Sequence, residues 1–340
     1  MRILHILDHG LPLQSGYTFR TRAILKSQMR HGWHVAAVTG PRNGARDAAA
    51  ETVDGIDFFR TPPVPETISP FGEMREIRAF ARRIDEVVAE FKPDILHAHS
   101  PVLDAVAALR VARTRKLPLV YEIRAFWEDA AVGNGTGREG SLRYRATRAL
   151  ETWAVRRADA VAVICEGLRG DLVARGIDPA KLLVSPNGVD MAVFGDPLAY
   201  DSALAESHGL RDAEVIGFIG SFYDYEGLDD LIAAMPTLVA ARPKAHLVLV
   251  GGGPMEDALR AQAAASPVAT PIHFIGRVPP TQVARYYSLI HVLAYPRTPL
   301  RLHDLVPPFL PLPAIDPPRL PPAAAVGAPP VRIPHNAPPH

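Results

Sequence analysis

The chain has 340 residues, 48% of them apolar and 21% charged, with 37 Lys and Arg against 36 Asp and Glu. That length suits two α/β domains with separate cores, and a formal net charge of +1 excludes a global pull toward nucleic acid, so any anion site has to be local. A single cysteine, Cys165, excludes an internal disulfide framework and fits a reducing compartment, while no apolar run approaches the length of a membrane span.

Taken in order, short β-rich runs alternate with segments of helical period, a pattern that predicts parallel sheets covered by helices. Strands are predicted at Arg2–Leu7, His34–Thr39, Asp94–Ala98, Leu119–Ile123, Ala160–Ile164 and Leu182–Val184. Helices are predicted at Tyr17–Arg30, Glu73–Phe91, Val102–Thr114, Ser141–Arg157 and Glu166–Ala174, with Ser141 as an N-cap and Gly32 and Gly176 as stops. Turn chemistry at 185–190 closes this first domain, 1–190.

A second alternation follows, with strands at Val215–Ile219, His246–Val250, Ile272–Ile275 and His291–Tyr295 and helices at Gly227–Ala241, Met255–Ala265 and Thr281–Leu289. Four strands read as a partial Rossmann-like sheet over 191–297. From Pro296 the pattern collapses, since 15 of the last 45 residues are proline. The segment 298–340 is expected to be an aberrant or disordered tail, the product of a shifted reading frame or a truncated gene, unless it serves as a polyproline partner-binding segment.

Several strand ends carry residues suited to ligands. The loop containing Ser15, Gly16 and Tyr17 opens the first helix, where free N–H groups favour an anion or a sugar hydroxyl, although an ordinary strand-to-helix turn has the same composition. It lacks the three-glycine dinucleotide spacing, and no acid ends the second strand, which disfavours a nicotinamide dehydrogenase. His97 and His99 alternate onto one side of their strand; with no further His, Cys or acidic ligand expected beside them, His99 is read either as a sugar contact or as packing rather than as part of a zinc site. Glu122 and Arg124 at the next strand end either hold hydroxyls and phosphate or pair with one another.

In the second half, three successive strands end in glycine: Gly220 before Ser221, Gly251–Gly253, and Gly276 before Val278. Such ends let a pyrophosphate approach the backbone. Arg297, Arg301 and Asp304 form the adjoining charged cluster, with the two arginines placed to neutralise a departing diphosphate without a metal. The arginine-rich stretch of Arg138, Arg143, Arg145, Arg148, Arg156 and Arg157 either touches anionic headgroups, if its members share a face, or is a solvated helix surface.

With these segments in order, the chain resembles glycosyltransferase family 4, and within it the enzymes associated with exosortase and PEP-CTERM exopolysaccharide loci. The carrying segments are 11–21, 97–101, 122–129, 186–190 and 220–228. The resemblance implies the α/β GT-B fold, two Rossmann-like domains facing a cleft, the second one incomplete. It implies transfer, with retention of configuration, from a nucleoside-diphosphate sugar to a glycan or polyprenyl-linked acceptor, with no metal and no other cofactor. The location implied is cytoplasmic, with peripheral contact at the inner face of the membrane.

By the same resemblance, His99 and Arg124 are catalytic. Gly220, Ser221, Gly252, Val278, Arg297, Arg301 and Asp304 bind the donor, and Ser15, Gly16 and Tyr17 the acceptor. Departures stand out. Ser221 and Glu226 occupy the region where the family often has Arg and Lys, Arg124 stands where many members have His, and Leu310 and Pro313 stand near the places of a Lys and a Glu. Full activity of this form is therefore not expected. An epimerase of the same architecture and a non-catalytic binding module remain as alternative readings.

Overall fold

The computed structural model describes residues 1–13, 15–43, 48–65, 71–133, 135–188, 199–297 and 301. The chain divides into two compact units. The first holds Met1–Gly188 with Tyr223–Gly227, Arg297 and Arg301, and the second holds the described residues from 199 to Phe222 and Leu228–Pro296.

In the first unit the order is β1 (Arg2–Leu7), α1 (Gly16–Arg30), β2 (His34–Thr39), β3 (Ala50–Val53), β4 (Ile56–Arg60), α2 (Phe71–Phe91), β5 (Ile95–His99), α3 (Val102–Arg115), β6 (Leu119–Ile123), α4 (Trp127–Gly133), α5 (Leu142–Arg157), β7 (Ala160–Val163), α6 (Glu166–Ala174) and β8 (Leu182–Val184). The strands form one sheet in the order β3-β4-β2-β1-β5-β6-β7-β8, parallel except for β3. Central strands are buried on both faces, so apolar residues predominate in them: β1 carries Ile3, Leu4, Ile6 and Leu7 at 4% exposure or less around the buried His5. Helix ends follow local chemistry. The Ser141 side chain accepts the Tyr144 N–H to start α5, and Gly32 and Gly176, at φ of 78° and 80°, end α1 and α6 in a left-handed turn.

The hairpin β3–β4 lies where no strand is predicted. Its turn, Asp54-Gly55, has positive φ at both residues, the geometry that matches the twist of paired strands and that Asp-Gly favours. Helix α4 is another unpredicted element. Its seven residues are too few to display a helical period.

The second unit runs α7 (Ser202–Ser207), β9 (Glu214–Ser221), α8 (Leu228–Ala241), β10 (Ala245–Gly252), α9 (Glu256–Ala265), β11 (Ile272–Gly276), α10 (Pro280–Tyr287) and β12 (Val292–Leu293). Its described strands form a parallel sheet in the order β11-β10-β9-β12. The last strand is shorter than the predicted His291–Tyr295, and pairs with β9 only through Val292 and Leu293. Phe218, Phe222, Leu228, Ile232, Met235, Leu247 and Leu249 form the core on one face.

At the ends of β9 and β10 glycine is required by packing. A Cβ on Gly251 would collide with the Gly220 carbonyl oxygen, and its φ of +137° is a conformation other residues rarely adopt. Gly251→Ala is expected to destabilise this unit by about 3 kcal/mol, combining backbone strain and overpacking. Urea denaturation followed by Phe and Tyr signals checks this, and a midpoint equal to the native one would show that the strands can separate without cost.

Candidate functional site

The carboxyl edge of the first sheet is where β5 and β6 deliver His97, His99, Glu122 and Arg124. His99 has no exposed surface, and the side chain of Arg124 is 11% exposed. The Arg124 Nη2 donates to His99 Nδ1 at 2.8 Å. Because arginine has no acceptor, Nδ1 of His99 must be the bare nitrogen, so its Nε2–H donates to His5 Nδ1 at 2.9 Å. His5 Nε2–H then donates to Gln28 Oε1 at 2.8 Å. One chain of donors thus fixes both tautomers. Burial pushes His99 down to about 3, reinforced by His97, and burial with His97 and His99 holds His5 well below the ordinary histidine range.

The absence of a third ligand beside His97 and His99, expected from sequence, is corrected here. Parallel pairing sets His5 of β1 opposite His97 of β5, and ring nitrogens of His5, His97 and His99 lie within 4.8 Å of one another. A cation would need lone pairs from all three rings. Those of His5 and His99 already accept hydrogen bonds, so this cluster suits a proton-ordered chain better than a metal.

Arg124 uses four of its five N–H donors. Its Nε donates to Glu122 Oε1 at 3.0 Å, Nη1 to the Tyr17 carbonyl at 2.8 Å and Nη2 to Thr21 Oγ1 at 2.8 Å, while the guanidinium sits 4.1 Å from the Tyr17 ring centre. The ion pair is therefore the form the Glu122/Arg124 alternative takes. Arg20 donates to the same Glu122 oxygen at 2.9 Å. Burial alone would raise the Glu122 carboxyl, but His99, His97 and Arg124 outweigh it and hold the group well below the usual carboxylate range. His99 has both ring nitrogens occupied, and Arg124 spends all but one donor, tying the first turn of α1 through Tyr17 and Thr21.

That turn carries Ser15, Gly16 and Tyr17. The Ser15 hydroxyl caps α1 by accepting the Thr18 N–H at 3.1 Å. It also contacts His9 Nε2 at 2.9 Å, and His9 Nδ1 lies 2.9 Å from Asp8 Oδ2. Sequence reasoning passed over Asp8 and His9; adjacent acid and imidazole groups where a strand meets a ligand edge were the available signal. A Cβ on Gly16 would meet nothing within 4 Å, so the surface beside this helix start is open.

Beside the same edge is a cavity of about 410 Å³ lined by Leu103, Trp127, Glu128, Arg138, Tyr144 and Leu150 among others. Glu128 is buried, with one oxygen paired to Arg175 at 2.8 Å and the other without a hydrogen-bond partner; burial raises its carboxyl.

In the second unit Gly220 and Ser221 end β9, Gly252 ends β10, and the two strands pair in register there. Ser221 is exposed and Gly252 buried, while Val278 packs partly buried against the core around Val248 and Val250. The predicted phosphate arginines are both ion-paired. Arg297 forms a two-point pair with Glu226, at 2.8 and 3.0 Å, and Arg301 is held by Asp171 and Asp129. Both charges are paired inside the first unit, and both side chains keep some exposed surface. Asp304 lies outside the described residues.

Two α/β units, each built on a parallel sheet, define a protein of the GT-B fold. The chain belongs to the Glycosyl transferase 4-like family: the model of that domain matches residues 15–188, and a model described as Glycosyl transferases group 1 matches 202–298. It is 28% identical over 203 residues to a glycogen synthase of Mycobacterium tuberculosis, covering 59% of this chain and 45% of that protein. It is 25% identical over 299 residues to a GDP-mannose-dependent alpha-mannosyltransferase of Mycolicibacterium smegmatis, covering 87% and 73%. The chain thus spans about half the length of the glycogen synthase. The fold is shared with sucrose-phosphate synthase of Thermosynechococcus elongatus, at TM-score 0.67 and 18% identity over 87% of this chain and 75% of that one. It is shared too with Anabaena HepE in complex with UDP, at 0.63 and 16% over 88% and 75%.

Proposed function

We propose that this chain is a retaining glycosyltransferase that moves a sugar from a nucleoside-diphosphate donor to a glycan or polyprenyl-linked acceptor in cell-surface polysaccharide assembly. The observation that carries the reading is the pairing of β9 with β10, which sets Gly220, Ser221 and Gly252 side by side at one strand edge, within the stretch that matches the group 1 glycosyltransferases. A diphosphate needs hydroxyl and cationic donors near the backbone, and this edge offers the exposed Ser221 hydroxyl and the Arg277 guanidinium beside Gly252. The curated relatives named for GDP-mannose-dependent transfer and the HepE structure holding UDP support a nucleotide-sugar donor.

Acceptor binding falls to the first unit. The open surface at Gly16, the hydroxyl of Ser15 and the cavity beside Trp127 are the groups that would receive it. No metal enters the mechanism. His99 and Arg124 act as positioning residues that hold the helix start, and the departing diphosphate is stabilised by backbone N–H groups and Ser221.

The test is release of nucleoside diphosphate from UDP-, GDP- and ADP-hexoses by the full chain, with acceptor products read by mass spectrometry. Turnover with one donor is expected, and Ser221→Trp, at an exposed strand end, is expected to lower kcat/KM by about a hundredfold through lost donor positioning. No diphosphate released from any donor, or full activity in Ser221→Trp, would sink the assignment.

A further inference from the structure

Helix α5 concentrates charge that the chain as a whole does not have. Over Leu142–Arg157 it carries Arg143, Arg145, Arg148, Arg156 and Arg157 against one acid, Glu151, whereas the whole sequence has 37 basic and 36 acidic residues. Glu151 has no exposed surface and accepts the Tyr121 hydroxyl at 2.6 Å, so it cannot offset the arginines at the surface.

The structure meets the shared-face condition for four of the six arginines, while Arg138 and Arg143 line the cavity beside Trp127 instead. Arg145, Arg148, Arg156 and Arg157 line one open concavity of about 610 Å³ with Ala149, Thr152, Trp153 and Arg175. Arg145 has no ion-pair partner among the described residues, and Arg157 lies over the Trp153 ring at 4.4 Å. Arg148 is near Asp171 at 3.8 Å, but its Nε is buried without a partner. Asp171 already serves Arg175 and Arg301.

From Arg145 to Arg157 the arginines extend along about 18 Å of helix, too far for one phosphate and suited to an extended anionic surface. Leu142, in the turn that starts the helix, is 84% exposed, and Trp153 lies among the arginines. Apolar and indole groups beside basic ones match the headgroup boundary of a bilayer and serve no purpose against a nucleic-acid backbone. We propose that the exposed face of α5 docks this protein on a bilayer containing anionic lipids, with Arg145, Arg148, Arg156 and Arg157 on the phosphates and Leu142 at the acyl boundary. Such docking would place the first unit at the surface where a polyprenyl-linked acceptor resides. Docking needs no sugar transfer, so its test stands apart from the transferase reading.

The test is sedimentation of the full chain with vesicles of phosphatidylglycerol mixed with phosphatidylcholine, and with phosphatidylcholine alone. Binding is expected only with phosphatidylglycerol present, and should weaken as salt shortens the screening length. The triple variant Arg145→Gln, Arg156→Gln, Arg157→Gln is expected to bind on the order of a hundredfold more weakly, at roughly fivefold per arginine. Leu142→Asp, too exposed to disturb folding, is expected to bind severalfold more weakly. Arg110→Gln, Arg113→Gln, Lys116→Gln removes the same charge from the last turns of α3 and its C-cap and should leave binding within twofold. Either α5 variant binding within twofold of the native chain, equal binding to phosphatidylcholine alone, or displacement of the vesicles by duplex DNA would overturn the proposal.

Discussion

Glu151→Gln is expected to match the native chain in stability near pH 4.5 and to exceed it increasingly as pH rises, reaching a gain of about 4–5 kcal/mol above pH 8. Burial, with Glu128 nearby, pushes the Glu151 carboxyl up to about 8, although the Tyr121 hydroxyl and Arg175 oppose the shift. The folded chain therefore keeps a proton that the unfolded chain releases at about 4.5. The unfolded state binds fewer protons through that window, so native stability falls as pH rises, by about 1.4 kcal/mol per pH unit. Glutamine keeps the oxygen that accepts the Tyr121 hydroxyl and cannot ionise. Its amide stands where Glu151 Oε2 already lacks a partner, so the two chains share that deficit at low pH. Other buried groups with shifted titrations, His5, His99 and Asp104, are common to both chains and cancel in the difference. Urea denaturation of both chains from pH 4.5 to 8.5 reads the effect, and a difference that stays constant with pH would show that Glu151 ionises in the folded state at its ordinary value.

The regular elements were legible because their periods are long. Parallel strands buried on both faces, such as Arg2–Leu7 and Leu119–Ile123, read as mainly apolar runs despite His5 and Glu122 inside them, and helices ended by Gly32 and Gly176 announce their stops. The hairpin at 50–60 was missed although Asp54-Gly55 signals it, because four- and five-residue strands give almost no alternation to count. The partners of polar residues were not legible. Arg297 and Arg301 are separated from Glu226 by 71 residues and from Asp171 by 130, and no local pattern encodes such pairs. A sequence shows where a charge lies along a strand end and not whether another element neutralises it. His5 illustrates the same limit, since only the register of β1 on β5 brings it to His97.

Glu122 is the second group whose removal has a large expected effect. Its Oε1 accepts from Arg20 and Arg124 together, at 2.9 and 3.0 Å, with the carboxylate side chain 2% exposed and the guanidiniums 12% and 11%. Arg20 spends its remaining donors on the Ser185 carbonyl, the Asn187 side chain and the Pro186 carbonyl, and Arg124 on Tyr17, Thr21 and His99. One carboxylate therefore lets two nearly buried cations lie side by side and tie α1 to β6 and to the strand end after β8. Glu122→Ala leaves both cations uncompensated and is expected to cost about 3–5 kcal/mol. Glu122→Gln keeps an acceptor but not the charge, and should cost less at neutral pH. Because the folded-state carboxyl is held below its ordinary value, its contribution is present above about pH 4.5 and is lost as pH falls. The gap between native and Glu122→Gln chains should narrow on acidification, as it does for Glu151→Gln, but here it is the native chain that is the more stable at neutral pH. Adding Arg124→Met to Glu122→Ala removes one orphaned cation and should recover part of the loss, a coupling that a double-mutant cycle measures directly. Additive losses would show that Arg124 is held by Tyr17, Thr21 and His99 alone, and that the first turn of α1 does not depend on the charge of β6.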